Sequence, residues 1–162
     1  MSQNAKCRLV EKDQHFFLLK NKTMILIGID PDTKKSGFAS YNKNNKALSL
    51  HNLSFFDIFD YLSILQADDA QFKVILEAGW LNKSNWHTDN KNKAMSVRIG
   101  NNTGSNHEVG RKIEEMLIYL KINYELRVPK TSKTDSKYFE KLTGIKKSNQ
   151  DQRDAAMLVW GY

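Results

Sequence analysis

Four acidic residues stand where folding could bring their carboxylates together. Asp30 and Glu77 each directly follow a short apolar run, and Asp151 and Asp154 stand three residues apart near the end of the chain. Like charges that converge in a protein repel one another unless a cation compensates them. Because carboxylates supply only oxygen ligands, the set favours Mg²⁺ or Mn²⁺ over zinc.

The chemistry of such a set is hydrolysis of phosphodiesters. Two divalent cations about 4 Å apart can activate water and stabilise the departing 3′-oxygen during in-line attack on phosphate. Simpler explanations exist for each acid alone. Asp30 lies in Asp-Pro-Asp, followed by Ser-Gly, which is also good turn chemistry, and acids at a helix N-terminus are favoured by the helix dipole. The order of the acids along the chain favours a shared site.

The elements that must position Asp30 and Glu77 are strands. Residues 24–29 are apolar apart from one glycine, lack helical spacing and are rich in β-branched residues, which predicts a strand buried on both faces. A second buried strand is predicted for residues 72–76. Alternation predicts two further strands at residues 37–41 and 47–51, joined by a hairpin turn, so that the chain begins as an antiparallel meander.

Helices are predicted between and after these strands. Ser54 with Asp57 forms a capping signal for a first helix, and an apolar face starting near Asn106 predicts a second. After a last strand near residues 124–128, the patterns predict helices over 132–144 and 149–160. Small alanines in the final helix would allow close packing on the sheet. Asp151 and Asp154, three residues apart, would lie on one of its faces.

Residues 80–106 form a long polar segment that we predict to lack regular structure. A connection of that length is usually functional or disordered. Basic residues interleaved with tryptophan suit a loop that contacts nucleic acid, since cations meet phosphates and indoles stack on exposed bases. The alternative is a partly helical, solvated insertion.

The charge of the chain is unevenly placed. The formal net charge is +7. Six Lys or Arg stand against two acids in residues 81–112, and six against two in residues 128–149. This clustering favours a phosphate-facing surface over evenly scattered surface lysines. The predicted nucleic-acid contacts are Lys83, Trp86, Lys91, Lys93, Arg98, Arg111 and Lys133.

Length and cysteine content restrict the remaining possibilities. A chain of 162 residues fits one domain, which we place at residues 24–162, with residues 1–23 as an N-terminal extension of unassigned role. The single cysteine, Cys7, excludes an intrachain disulfide framework. No apolar run approaches the roughly 18 residues of a membrane span, and we expect a reducing, intracellular setting.

The ordered motifs resemble those of the RuvC-type Holliday-junction resolvases in the ribonuclease H-like superfamily. Each motif is weak alone, but the ordered set at this spacing is fairly specific, and it covers about residues 24–162. The matching stretches are Ile27-Gly28-Ile29-Asp30-Pro31 with Ser36-Gly37, then Leu76-Glu77, Asn106-His107-Glu108-Val109-Gly110, Val128-Pro129-Lys130, Leu142-Thr143-Gly144 and Asp151-Gln152-Arg153-Asp154-Ala155-Ala156.

The resemblance implies an α/β ribonuclease H-like fold, with a mixed five-stranded sheet whose first three strands are antiparallel. It implies two Mg²⁺ ions, for which Mn²⁺ substitutes, held by Asp30, Glu77, Asp151 and Asp154, with Asp30 bridging both. Lys130 matches a basic position near the scissile phosphate. Family members act as homodimers on four-way DNA junctions in recombination and repair. The resemblance also implies the cytoplasm of a bacterial, phage-infected or viral host cell.

Some features depart from the family pattern. Asp32 stands where a glycine or small residue is frequent, and residues 80–106 form an unusually long insertion. A phage-type resolvase, which is often less strict about branched substrates, would fit a compact and lysine-rich chain. A broader branched-DNA or flap nuclease, a RuvC-like ribosomal-RNA-processing nuclease and a DNA-binding module with an inactive site are the alternatives. Actin-like sugar kinases share the Gly-Ile-Asp strand end but need two lobes.

Overall fold

The computed structural model describes residues 23–82 and 93–162, with residues 93–99 described by their backbone alone. Nearly all of the predicted N-terminal extension, residues 1–22, therefore lies outside the described residues. The elements in chain order are β1 Met24–Asp30, β2 Ser36–Asn42, β3 Leu48–Leu53, α1 Phe55–Ala67, β4 Gln71–Glu77, a short 3₁₀ helix Gly79–Leu81, α2 Lys93–Tyr119, β5 Tyr124–Arg127, α3 Ser136–Thr143 and α4 Gln150–Val159.

The five strands form one mixed sheet in the order β3-β2-β1-β4-β5. Strand β2 is antiparallel to both β1 and β3, whereas β4 is parallel to both β1 and β5. The carboxyl ends of β1, β4 and β5 consequently meet at one edge of the sheet. The predicted α/β ribonuclease H-like fold, with three antiparallel strands first, is confirmed.

Both faces of the sheet are buried, as the continuous apolar run of β1 predicts. On one face, Ile27 and Ile29 pack with buried residues of α1 and α2. On the other face, Leu26 packs with Ala155 and other small and apolar residues of α4. A Cβ added to Gly28 would overlap the carbonyl oxygen of Ala155, so α4 lies against the backbone of β1. The predicted close packing of the last helix is confirmed.

Local capping sets the boundaries of the short helices. Ser54 and Asp57 form the predicted capping box of α1, and Asn149 and Gln152 form another at the start of α4. Helix α3 ends at Gly144, whose φ of 76° is the left-handed conformation that favours glycine. Its predicted start near residue 132 was wrong, because the side chain of Asp135 accepts the Tyr138 N–H and makes Asp135 the N-cap.

The prediction of an irregular segment from residue 80 to 106 was also wrong for most of its described part. Residues 79–81 form the 3₁₀ helix, and α2 begins at Lys93, well before Asn106. Residues 100–108 of α2 are all polar or glycine, so this part of the helix has no apolar stripe, and residues 100–102, 104 and 105 are largely exposed. The alternative of a partly helical insertion fits residues 93–106; residues 83–92 lie outside the description.

A polar cluster fixes the end of α4 against the sheet edge. Arg127 of β5 donates to the Leu158 carbonyl oxygen at 3.0 Å and to Glu125 at 3.0 Å. Glu125 also accepts from Lys73 at 2.7 Å and from Tyr162 at 2.6 Å. These hydrogen bonds lower the pKa of Glu125 to about 2, with the Lys73 bond contributing most. The helix that carries Asp151 and Asp154 is thereby anchored at its far end.

Within the described ranges, no helix is long and apolar enough to cross a membrane.

Candidate functional site

Two of the predicted acids stand side by side at the carboxyl edge of the sheet. Asp30 ends β1 and Glu77 ends β4, and the parallel register pairs Ile29 with Leu76 one residue before them. On the other side of β1, Gly37 lies opposite Asp30 in the antiparallel register. A Cβ at Gly37 would overlap the carbonyl oxygen of Asp151, so the N-terminal turn of α4 lies against this edge.

A cleft opens above these strand ends. It comprises a cavity of about 270 Å³, bounded by the sheet edge, by α2 and by the loop that follows β5, and an adjoining cavity of about 140 Å³. Glu77 and Lys133 line both cavities. Asp30 lines the larger cavity, while Asp154 and Lys130 line the smaller. The structure thus brings Asp30, Glu77 and Asp154 to a single cleft.

The charge of Asp30 is poorly compensated within this cleft. The pKa of Asp30 is raised from 3.8 to about 8, first by burial and then by the neighbouring Glu77 and Asp154 carboxylates, whose effect is larger than the opposing effect of Lys133. An acid held in this state is a group that a divalent cation would stabilise in its ionised form. Perturbed carboxylates in a cleft are also characteristic of functional sites.

The other acids differ in their surroundings. Burial raises the pKa of Glu77, and the Asp154 carboxylate adds to the shift. Burial also raises the pKa of Asp151, and its largest like-charge neighbour is Asp32. Asp151 therefore lies towards the β1–β2 loop, at the periphery of the group. Asp32, which departs from the family pattern, adds a further carboxylate on that side.

The negative charge of Asp154 is compensated by other side chains of the protein. Its side chain is only 12% exposed, and Lys133 Nζ lies 2.8 Å from its Oδ2 atom. The other carboxylate oxygen accepts from Gln150 Nε2 at 2.7 Å. A lysine thus occupies one side of the acidic cleft.

A hard divalent cation prefers several oxygen ligands in one place. As the side chains are placed, no three His, Cys, Asp or Glu residues of the described chain form a group that could hold a metal ion. The chemistry of the donors nevertheless fits one, because Asp30 and Glu77 are oxygen ligands with uncompensated charge and Asp154 lines the same cleft. Asp30, Glu77 and Asp154 would hold it, with Asp151 at the edge.

Two residues that were not assigned a role line the α2 wall of the cleft. The Thr33 N–H donates to Asn106 Oδ1 at 3.3 Å, and Asn106 Nδ2 donates to Asp32 at 3.4 Å, so α2 is joined to the β1–β2 loop. The His107 imidazole packs directly on Gly79. Burial lowers the pKa of His107, and Arg111 lowers it further, which favours the neutral ring. Only the match of 106–110 to a family motif pointed to these positions.

The predicted nucleic-acid contacts divide into four groups. Arg111 is exposed on α2, 3.8 Å from Glu108 and 6.0 Å from the centroid of the Trp80 ring. Lys133 lines the acidic cleft and contacts Asp154 there, with its side chain still largely exposed. Lys93 and Arg98 belong to the part of α2 described by its backbone alone, and Lys83, Trp86 and Lys91 lie outside the described residues.

Lys130, predicted to lie near a scissile phosphate, is exposed and lines the smaller cavity with Glu77 and Asp154. The lysine in contact with an acid of the site is Lys133, three residues later. The role of Lys130 stays a prediction.

Comparisons with known proteins gave one kind of match. No family model matches the chain, and no curated protein matches it. Among solved structures, the chain is similar to T. thermophilus RuvC in complex with Holliday junction substrate, at 12% sequence identity and a TM-score of 0.41. The match covers 83% of this chain and 89% of that chain. At this TM-score it adds nothing to the fold class, which the strand order of the sheet establishes.

Proposed function

We propose that the protein is a metal-dependent endodeoxyribonuclease that resolves four-way DNA junctions. The observation that carries the proposal is the cleft at the carboxyl ends of β1 and β4, where Asp30, Glu77 and Asp154 meet with more negative charge than the chain compensates. A buried acid of this kind has a stabilising role only if a cation joins it. Oxygen-ligated Mg²⁺, or Mn²⁺ in its place, matches the donors.

The roles of the residues follow from their places. Asp30, Glu77, Asp151 and Asp154 would hold two Mg²⁺ ions, which supply charge stabilisation to a phosphodiester under attack. Asn106 holds the β1–β2 loop against α2 and so fixes the entrance beside Asp30. Lys130 and Lys133, on the loop after β5, are placed to meet a phosphate that enters the cleft.

The basic segments of the sequence flank this cleft. Helix α2, which belongs to one basic segment, forms one wall through Thr103, Asn106 and His107, and the loop after β5, which belongs to the other, supplies Pro129 and Lys133. Basic segments on two sides of the cleft suit a polyanion that passes over the acids, and DNA is the partner we propose. Because symmetric cleavage of a junction needs two sites, we propose a homodimer that acts in recombination and repair inside the cell.

A cleavage assay on a labelled synthetic four-way junction tests the proposal. Matched linear duplex, flap and single-stranded RNA serve as control substrates, in Mg²⁺, in Mn²⁺ and in chelator. We expect paired, symmetric nicks on the junction, lost in chelator, and a dimeric mass by light scattering.

The other outcomes contradict the proposal in distinguishable ways. Cleavage of every branched substrate would replace it with a broader branched-DNA or flap nuclease, and cleavage of structured RNA alone would replace it with an RNA-processing nuclease. Tight junction binding without cleavage in any metal would leave a DNA-binding module.

A further inference from the structure

Lys133 is placed unlike a surface lysine. Its Nζ atom contacts Asp154, and its side chain lines both cavities of the cleft. Its positive charge also acts on Asp30 and Glu77. The Lys133 ammonium therefore partly neutralises several carboxylates of the candidate metal site.

The backbone next to Lys133 is fixed by hydrogen bonds, whereas the Lys133 side chain is largely exposed and contacts only Asp154 among the ion pairs described. Arg153 of α4 donates from Nε to the Thr134 carbonyl oxygen at 3.0 Å, and Asp135 caps α3. These contacts fix the chain just after Lys133. The Lys133 side chain is 67% exposed, so its long stem can leave Asp154 without moving the backbone.

Arg153, a second cation next to this loop, lacks that freedom. Arg153 shares its guanidinium among the Thr134 and Ser148 carbonyl oxygens and the Gln150 side chain, at 3.0, 2.7 and 2.8 Å respectively. The N–H groups of the Arg153 guanidinium thus join the loop before α3 to the start of α4. Lys133 is the one of the two that a competing ion can displace.

We infer that Lys133 is an exchangeable counter-ion of the metal-free site, which releases Asp154 when a divalent cation binds and then becomes a contact for a DNA phosphate. The inference rests on the proposed metal-dependent function and assigns Lys133 a positioning role within it. An ammonium and a divalent cation cannot both occupy the same side of Asp154, and two positive charges in one small cleft repel each other. Metal binding and the Lys133–Asp154 ion pair thus compete with each other.

Calorimetric titration with Ca²⁺ in the absence of DNA tests the exchange. We expect Lys133→Gln to bind Ca²⁺ about three- to tenfold more tightly than the natural sequence, because a partly exposed ion pair no longer competes. Lys146→Gln removes the same charge from an exposed lysine between α3 and α4 and should stay within about twofold of the natural sequence. Equal or weaker Ca²⁺ binding by Lys133→Gln than by Lys146→Gln would overturn the inference.

Junction binding gives the second measurement, in Ca²⁺ and in chelator. We expect Lys133→Gln to weaken binding at least about threefold more in Ca²⁺ than in chelator, since the lysine reaches phosphate only after the metal has displaced it. An equal loss in both conditions would make Lys133 an ordinary surface contact and overturn the inference.

The titrations separate this inference from the proposed function. If the natural sequence bound no Ca²⁺, Mg²⁺ or Mn²⁺, both would fail. If it bound these ions with an affinity that Lys133→Gln did not change, the counter-ion role alone would fail.

Discussion

Asp30→Asn should abolish cleavage of a four-way junction while junction binding persists. The change removes a charged ligand from the cleft but leaves the lysines and arginines of α2 and of the loop after β5 unchanged. We expect the cleavage rate to fall by roughly a thousandfold or more, the scale seen when a group that stabilises transition-state charge is lost. Single-turnover cleavage and a gel-shift titration in Ca²⁺ measure the two effects separately.

The same substitution should stabilise the metal-free protein. Asp30 has a pKa of about 8 in the folded chain against 3.8 ordinarily, so between these values the folded state binds a proton that the unfolded state lacks. The contribution of Asp30 to the free energy of unfolding therefore falls as the pH rises from about 4 to about 8. The asparagine side chain of the variant does not titrate, and we expect the variant to be more stable by about 2–4 kcal/mol at pH 8.

Denaturant unfolding in chelator at pH 5 and pH 8 checks that sign. Asp60→Asn, at an exposed acid of α1, is the control and should unfold like the natural sequence at both pH values. Cleavage by Asp30→Asn at the natural rate would place the active site elsewhere. Lower stability of that variant at pH 8 would mean that the Asp30 charge is compensated in the metal-free protein.

Asp30 is proposed to be needed for cleavage but is unfavourable for stability, and this conflict makes part of the site predictable from the sequence. An acid directly after a buried strand is unfavourable for folding, so Asp30 and Glu77 can be recognised from the apolar runs before them. Their adjacency follows from the parallel pairing of β1 with β4, which the crossover through α1 makes the expected arrangement. The starts of α1 and α4 are likewise determined by local sequence, through their capping boxes.

Other features depend on contacts that local patterns do not contain. Residues 100–108 of α2 are polar or glycine and include Gly100 and Gly104, so neither an apolar stripe nor helix propensity identifies this part of the helix. Lys130 and Lys133 are both lysines of one loop, and only the position of Arg153 and the α3 cap decides which of them faces Asp154. Loop geometry of this kind is a tertiary property.

The second large effect is expected for Gly28→Ala, which should strongly destabilise the protein. The added Cβ would overlap the carbonyl oxygen of Ala155 and come within 3.3 Å of the Leu158 Cβ atom. The clashing atom belongs to the backbone of α4, so no change of side-chain rotamer can relieve the overlap. The helix itself is held at both ends, by the Asn149 cap and by the hydrogen bond from Arg127 of β5. We expect a loss of about 3 kcal/mol or more, and a Tm lower by about 6–12 °C.

Gly104→Ala supplies the matched comparison, because the same added methyl group meets nothing within 4 Å on the exposed side of α2. There the substitution should raise the free energy of unfolding by about 0.5–1 kcal/mol, since alanine loses less backbone entropy in a helix. Thermal unfolding of both variants in chelator should thus give shifts of opposite sign. If Gly28→Ala melted with the natural sequence, α4 would not lie against β1, and Asp154 could not reach the edge where Asp30 and Glu77 end.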